Sequence, residues 1–226
     1  LEYIQQVLKE HLLTDNYVQL TQAEAQKKIE ALKVTLKNLI SNNANSLPQP
    51  ELIYFKRSLP NHFRLPIFYG LPKVHKMPVS LRPVVSKTNS LLAVFSIWLD
   101  YKMKSLLPLV RSYIKNSIKV IKDLRDLFIH QNALLFSTDA VSMYTNIDTA
   151  SGLQAMRQFL HTNLEYIPIE FPKEKFLKVL EIVLSNNVFT FGNTYWQQLS
   201  GTAMGTPVPE SVMKCSCASW TRPLVS

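Results

Sequence analysis

Among the acids of this 226-residue chain, Asp139 has the most suggestive surroundings. An apolar run from Ala133 to Phe136 leads through Ser137 and Thr138 into Asp139-Ala140, and the aromatic Tyr144 follows five residues on. A short buried strand ending on a carboxylate is a common way to hold a metal ligand at a sheet edge. The same pattern also fits an Asp that caps the turn after a strand. Two further segments offer chemistry. Lys73 and Arg82 lie on either side of a turn around Met77-Pro78-Val79-Ser80, so they are expected to project from the two arms of one hairpin. Cations so held suit a triphosphate, Arg through its planar fork and Lys as a point charge; ordinary surface charges would look the same. Gln198 to Pro207 carries Gly201 and Gly205 among small residues, just ahead of Pro207. Such a loop can bring its backbone close to a ligand, or be a plain turn. His75 has no metal-ligand company and reads as a polar hairpin residue.

The elements that must position these residues alternate between helix and strand. Residues 1 to about 13 and 21 to about 40 read as helices, the second opened by the capping box Thr21-Gln22-Ala23-Glu24. Ile29, Leu32, Leu36, Leu39 and Ile40 line one face of it. Residues 53–87 are rich in Pro and aromatics and read as two short strands of edge-like character, because each Pro removes a ladder donor. Two core helices are expected next, over 89–107 and from Asn116 on, the second with Ile118, Ile121, Leu124 and Phe128 inward. After the Asp139 strand, Asp148 caps a helix running to about Thr162, and Pro172 opens another. Val188 to Trp196 alternates around Gly192-Asn193, a hairpin signal.

Charge is placed unevenly. The net charge is +9; residues 1–138 hold 19 Lys/Arg against 9 Asp/Glu, and residues 139–226 hold 6 against 7. Between Leu52 and Leu99 there is no acid, but Lys56, Arg57, Arg64, Lys73, Lys76, Arg82 and Lys87 all occur. A basic block beside an isolated acid points to a polyanion meeting a metal site, although a solvated basic face is common. No apolar run is long enough to span a membrane, and no secretory signal pattern opens the chain. Cys215 and Cys217 are spaced poorly for a disulfide, as in a reducing compartment.

Taken in order, four blocks resemble reverse transcriptases, closest to those of Penelope-like retroelements, which are similar to telomerase. Tyr69-Gly70-Leu71-Pro72-Lys73-Val74-His75-Lys76 and Leu81-Arg82-Pro83-Val84-Val85-Ser86 look like the two fingers motifs. Ser137 to Ile147 looks like palm motif A, and Phe189 to Pro207 like motif B. The resemblance covers roughly residues 53–207. It implies an α+β right-hand polymerase with fingers and a partial palm, preceded by an N-terminal helical segment. The expected division is 1–50 helical segment, 51–132 fingers and connecting helices, 133–207 partial palm and 208–226 a divergent tail. It implies RNA-directed DNA polymerase activity on an RNA template, a DNA primer and a deoxynucleoside triphosphate, with Mg²⁺ held by Asp139. Ala140 would lie beside the second metal ion, Tyr144 would exclude a 2′ hydroxyl, and Lys73, Arg82 and Gly205 would hold the nucleotide. Lys56, Arg57, Arg64, Lys76 and Lys87 would meet nucleic acid. A retroelement enzyme acts where its RNA and target DNA meet, which suggests an intracellular setting with the nucleus as one candidate and leaves the compartment open.

Two departures qualify the resemblance. Met204 stands where many reverse transcriptases have Gln, so no side-chain hydrogen bond is expected there. Palm polymerases also need a second acid, usually in a Tyr-x-Asp-Asp hairpin, and these 226 residues hold no Asp-Asp pair. The family pattern fades after Pro207, as expected of a truncation or frameshift near residue 208. With one carboxylate, metal binding would be weak and the chain itself inactive or nearly so.

Overall fold

The computed structural model describes residues 2–41, 47–60, 62–75, 77, 80–110, 113–128, 130–134, 148–202 and 204–205. Among them are seven α-helices and one five-stranded sheet, so the α+β expectation holds at that level. In chain order they are α1 (Glu2–Leu12), β1 (Tyr17–Leu20), α2 (Gln22–Ser41), α3 (Gln49–Ser58), β2 (Ile67–Lys73) and β3 (Ser80–Ser86). There follow α4 (Ala93–Leu106), α5 (Ser117–Arg125), α6 (Thr149–Thr162), α7 (Lys173–Ser185), β4 (Asn187–Phe191) and β5 (Thr194–Gln198).

Local signals set several element ends. The Thr21 N–H donates to Glu24 Oε2 at 2.8 Å and the Glu24 N–H to Thr21 Oγ1 at 3.2 Å, so the capping box forms as expected. The Thr21 N–H, and after it the Thr21 hydroxyl donating to the same Glu24 oxygen at 2.8 Å, hold the Glu24 carboxyl below its ordinary range. Asp148 accepts the Ser151 N–H at 2.8 Å and starts α6. Pro172 stands just before α7, where its missing donor costs nothing. Gly192 takes φ +56° in the turn between β4 and β5.

The sheet order is β1-β5-β4-β2-β3. Neighbours are antiparallel except β2 and β4, which are parallel and meet only at Ile67 and Thr190. Side chains alternate between its faces. One face carries Tyr17, Trp196, Phe189, Phe68 and Val85, and α1 covers it with Leu8 and Leu12. His11 of α1 stacks on Phe68 and sits 3.1 Å from the Tyr17 hydroxyl, and burial lowers the His11 pKa. The opposite face is covered at its β1-β5-β4 end, where Ala25 of α2 packs on Leu20 and Val188. At its β2 end Ile67, Tyr69 and Leu71 stay exposed. A larger helical core joins α2, α3, α4, α6 and α7 around Phe55, Phe95, Leu99, Met103, Met156, Phe176 and Leu180.

Two expectations need correction. The first 50 residues do not form helices alone: β1 is the outer strand of the sheet, pairing Tyr17 with Gln198 through Leu20 with Tyr195. And α5 forms behind its Asn116 cap, but Ile118, Ile121, Leu124 and Phe128 are exposed at 63, 61, 52 and 90%, not inward. The 3.6-residue spacing made the helix; among the described residues nothing packs on its apolar side. No helix among the described residues is long and apolar enough to cross a membrane.

Candidate nucleic-acid interface

The hairpin expected around Met77 is present. β2 and β3 pair from Ile67↔Ser86 to Lys73↔Ser80, with Leu71 opposite Arg82 and Tyr69 opposite Val84. Because β4 meets β2 only at its first residue, the rest of the hairpin runs out as a two-stranded ribbon. Each of its strands has one unpaired edge, and this is where Pro72 and Pro83 are tolerated. The two-residue side-chain period puts Tyr69, Leu71, Lys73, Arg82 and Val84 on one face. Lys73 and Arg82 are therefore diagonal neighbours across the two strands, close enough for long side chains to share one anion. Arg82 is exposed and Lys73 half-buried.

The Gly-rich loop reaches the same ribbon. The Val85 N–H donates to the Met204 carbonyl at 2.8 Å. Gly205 has φ +98°, and a Cβ there would lie 2.7 Å from the Val85 carbonyl oxygen and 2.9 Å from Val84 Cγ1. A side chain fits neither the conformation nor the space. The loop thus makes a close backbone approach; the sequence suggested a ligand as its partner, and among the described residues the partner is β3. Met204 contributes its carbonyl, not its side chain, and this bond covers part of β3's outer edge.

Of the remaining candidates, Asp139, Ala140, Tyr144 and Lys76 lie outside the described residues. Lys56 and Arg57 are exposed on α3, and Arg64 is exposed on the segment leading to β2. Lys87 departs from the expectation of a phosphate contact. It is 6% exposed, and its ammonium donates to Asn187 Oδ1, while Asn187 Nδ2 bonds the Leu184 carbonyl at 2.9 Å. Desolvation lowers its pKa to about 8. It joins the end of β3 to the start of β4, and backbone phosphate has no access to it there. A signal was present: two residues after buried Val85, alternation turns position 87 toward the covered face.

Asp139, the residue expected to hold a divalent cation, is one of those outside the described residues. Among the described residues no group of three or more His, Cys, Asp or Glu side chains gathers as a metal site. Compared with protein-family models, curated proteins and solved structures, the chain has no match.

Proposed function

We propose that the chain is a reverse-transcriptase domain fragment of a retroelement, of Penelope-like type, whose parent chemistry is two-metal nucleotidyl transfer. One observation carries most of the support. Lys73 and Arg82 share a face of the β2–β3 ribbon, and the Gly205 loop docks against Val84 and Val85 of that ribbon. Gly205, more than 120 residues away in sequence, thus meets the ribbon that carries Lys73 and Arg82. Arg82 would take two triphosphate oxygens through its fork and Lys73 a third as a point charge. Ile67, Tyr69 and Leu71 beside them give an open apolar surface against which a base pair could rest. By the resemblance, Asp139 would hold Mg²⁺, which when bound would activate the primer hydroxyl and stabilise the leaving pyrophosphate. Tyr144 would discriminate against ribonucleotides by clashing with a 2′ hydroxyl.

A second reading is a nucleic-acid-binding remnant without catalysis. It is favoured by the lack of any Asp-Asp pair in these 226 residues and by the exposed Lys56, Arg57 and Arg64. Primer extension on an RNA template with Mg²⁺ or Mn²⁺, alongside binding of an RNA–DNA hybrid, separates the two. The chain is expected to bind hybrid with a steep salt dependence and to extend primer negligibly. Robust extension that Asp139→Ala abolishes would make the chain an active polymerase; no hybrid binding even at low salt would defeat both readings.

A further inference from the structure

A second surface lies on the helical side of the molecule. Between α3 and α4 runs a groove of about 320 Å³ lined by Pro50, Glu51, Tyr54, Ile97, Trp98 and Tyr101. Its volume falls within the range of about 300–1,000 Å³ usual for ligand sites. Trp98 forms the floor at 3% exposure, while Tyr101 and Ile97 stand 72% and 55% exposed. The floor is held rigidly. The Trp98 indole N–H donates to Glu51 Oε2 at 3.0 Å, and the Tyr54 hydroxyl donates to the Val94 carbonyl at 3.2 Å. Lys102 pairs with the other Glu51 oxygen.

The charges around this groove select its occupant. Glu51 is neutralised by Lys102, and Asp100 by Lys104 at 2.6 Å. Lys56 and Arg57 are exposed on α3, and no acid follows Glu51 until Asp100. Arg57 lies seven residues after Pro50 and three after Tyr54, and so shares their helical face. The groove therefore combines aromatic surface with one exposed cation, Arg57, on the α3 face that lines it. Proteins that bind single-stranded nucleic acid use that combination: cations follow the backbone while bases stack on aromatic side chains.

We propose that the α3–α4 groove is a stacking platform for unpaired bases of single-stranded nucleic acid, distinct from the β2–β3 ribbon. The proposal rests on the nucleic-acid reading above and adds to it a second surface with its own ligand form. Tyr101 is the stacking residue, Tyr54 and Ile97 flank it, and Arg57 supplies a phosphate contact at the rim.

The test is fluorescence anisotropy of the full chain with labelled oligouridine and with an abasic strand of equal length. Tyr101→Ala is expected to weaken oligouridine binding roughly 5- to 150-fold, the range of one lost base stack. Tyr101→Trp should restore it, and abasic binding should not respond to either change. Tyr101 is largely exposed, so circular dichroism should report an unchanged fold. Oligouridine binding indifferent to Tyr101→Ala would overturn the platform. If only Lys73→Ala or Arg82→Ala weakens binding, the groove fails while the nucleic-acid reading stands. If no strand binds at low salt, both fail. Occupation by an apolar peptide that oligouridine cannot displace would also overturn the proposal.

Discussion

Lys87 is a charge that the fold carries at a cost. Among the described residues its ammonium finds one amide oxygen, that of Asn187, in place of its hydration, which favours the neutral amine. Its pKa in the folded chain is lowered from 10.5 to about 8. Below pH 8 both folded and unfolded chains hold this proton, and the folded state bears the full penalty. Between pH 8 and 10.5 the unfolded chain keeps the proton that the folded chain has released, so stability rises with pH there, by about 3 kcal/mol at the upper end. Tyr17 opposes this only above pH 10, since burial raises its pKa to about 12 and the unfolded chain then ionises first. Denaturation of the wild type between pH 7.5 and 10 is expected to show the rise, and Lys87→Met to lack it. The mutant also leaves Asn187 Oδ1 without its partner, a loss of about 1–3 kcal/mol that does not depend on pH. Parallel pH profiles for the two proteins would refute the buried charge. The sequence placed Lys87 in a basic block because composition counts charges without reference to faces. Strand alternation, carried one residue past the end of β3 at Ser86, was the finer signal, since it puts position 87 on the face of Val85.

At the scale of elements, what was legible was local. Thr21 with Glu24, Asp148, Pro172 and Gly192 each set an element end through bonds or backbone limits within a few residues. The inward face of α5 was not legible. Periodicity names the apolar side of a helix, but the element that covers it is set by the rest of the chain. The Gly-rich loop lies between these cases: its glycines announce a close approach without naming the partner. Gly205 and Gly192 separate the two causes for which a chain needs glycine. At Gly192 φ is positive but a Cβ would meet open space; at Gly205 φ is positive and a Cβ would strike β3. Gly192→Ala should therefore cost only the backbone strain of about 1–2 kcal/mol. Gly205→Ala should cost that and the docking of the loop as well. Its expected signature in hydrogen exchange is loss of protection at the Val85 amide, which the Met204 carbonyl accepts. Equal costs for the two mutants, with Val85 still protected, would mean that the loop does not rely on this contact.

For the whole molecule, the decisive contact joins chain ends that sequence patterns treat as separate. Tyr17 pairs with Gln198, so β1 completes a sheet whose other strands lie from residue 67 onward. Four residues of ordinary β character carry no sign of so distant a partner. The apparent boundary near residue 50 follows a change of composition, and the packing crosses it. Leu8 and Leu12 cover Phe68 and Phe189, and Gly70 lacks a side chain where Leu8 comes to 2.9 Å of its Cβ position. Each large apolar side chain uncovered costs about 1.5–3 kcal/mol, against a total stability of about 5–15 kcal/mol for a domain. Removing residues 1–20 bares Phe68, Phe189 and Trp196 and makes β5 an edge strand. That loss is comparable to the stability of the whole. The shortened chain is expected to lose its cooperative thermal transition, to bind a hydrophobic dye and to associate, whereas the full chain shows one transition. A chain beginning at residue 21 that melts cooperatively as a monomer would show that α1 and β1 are an accessory layer. The β2–β3 ribbon would then stand on the helical core alone.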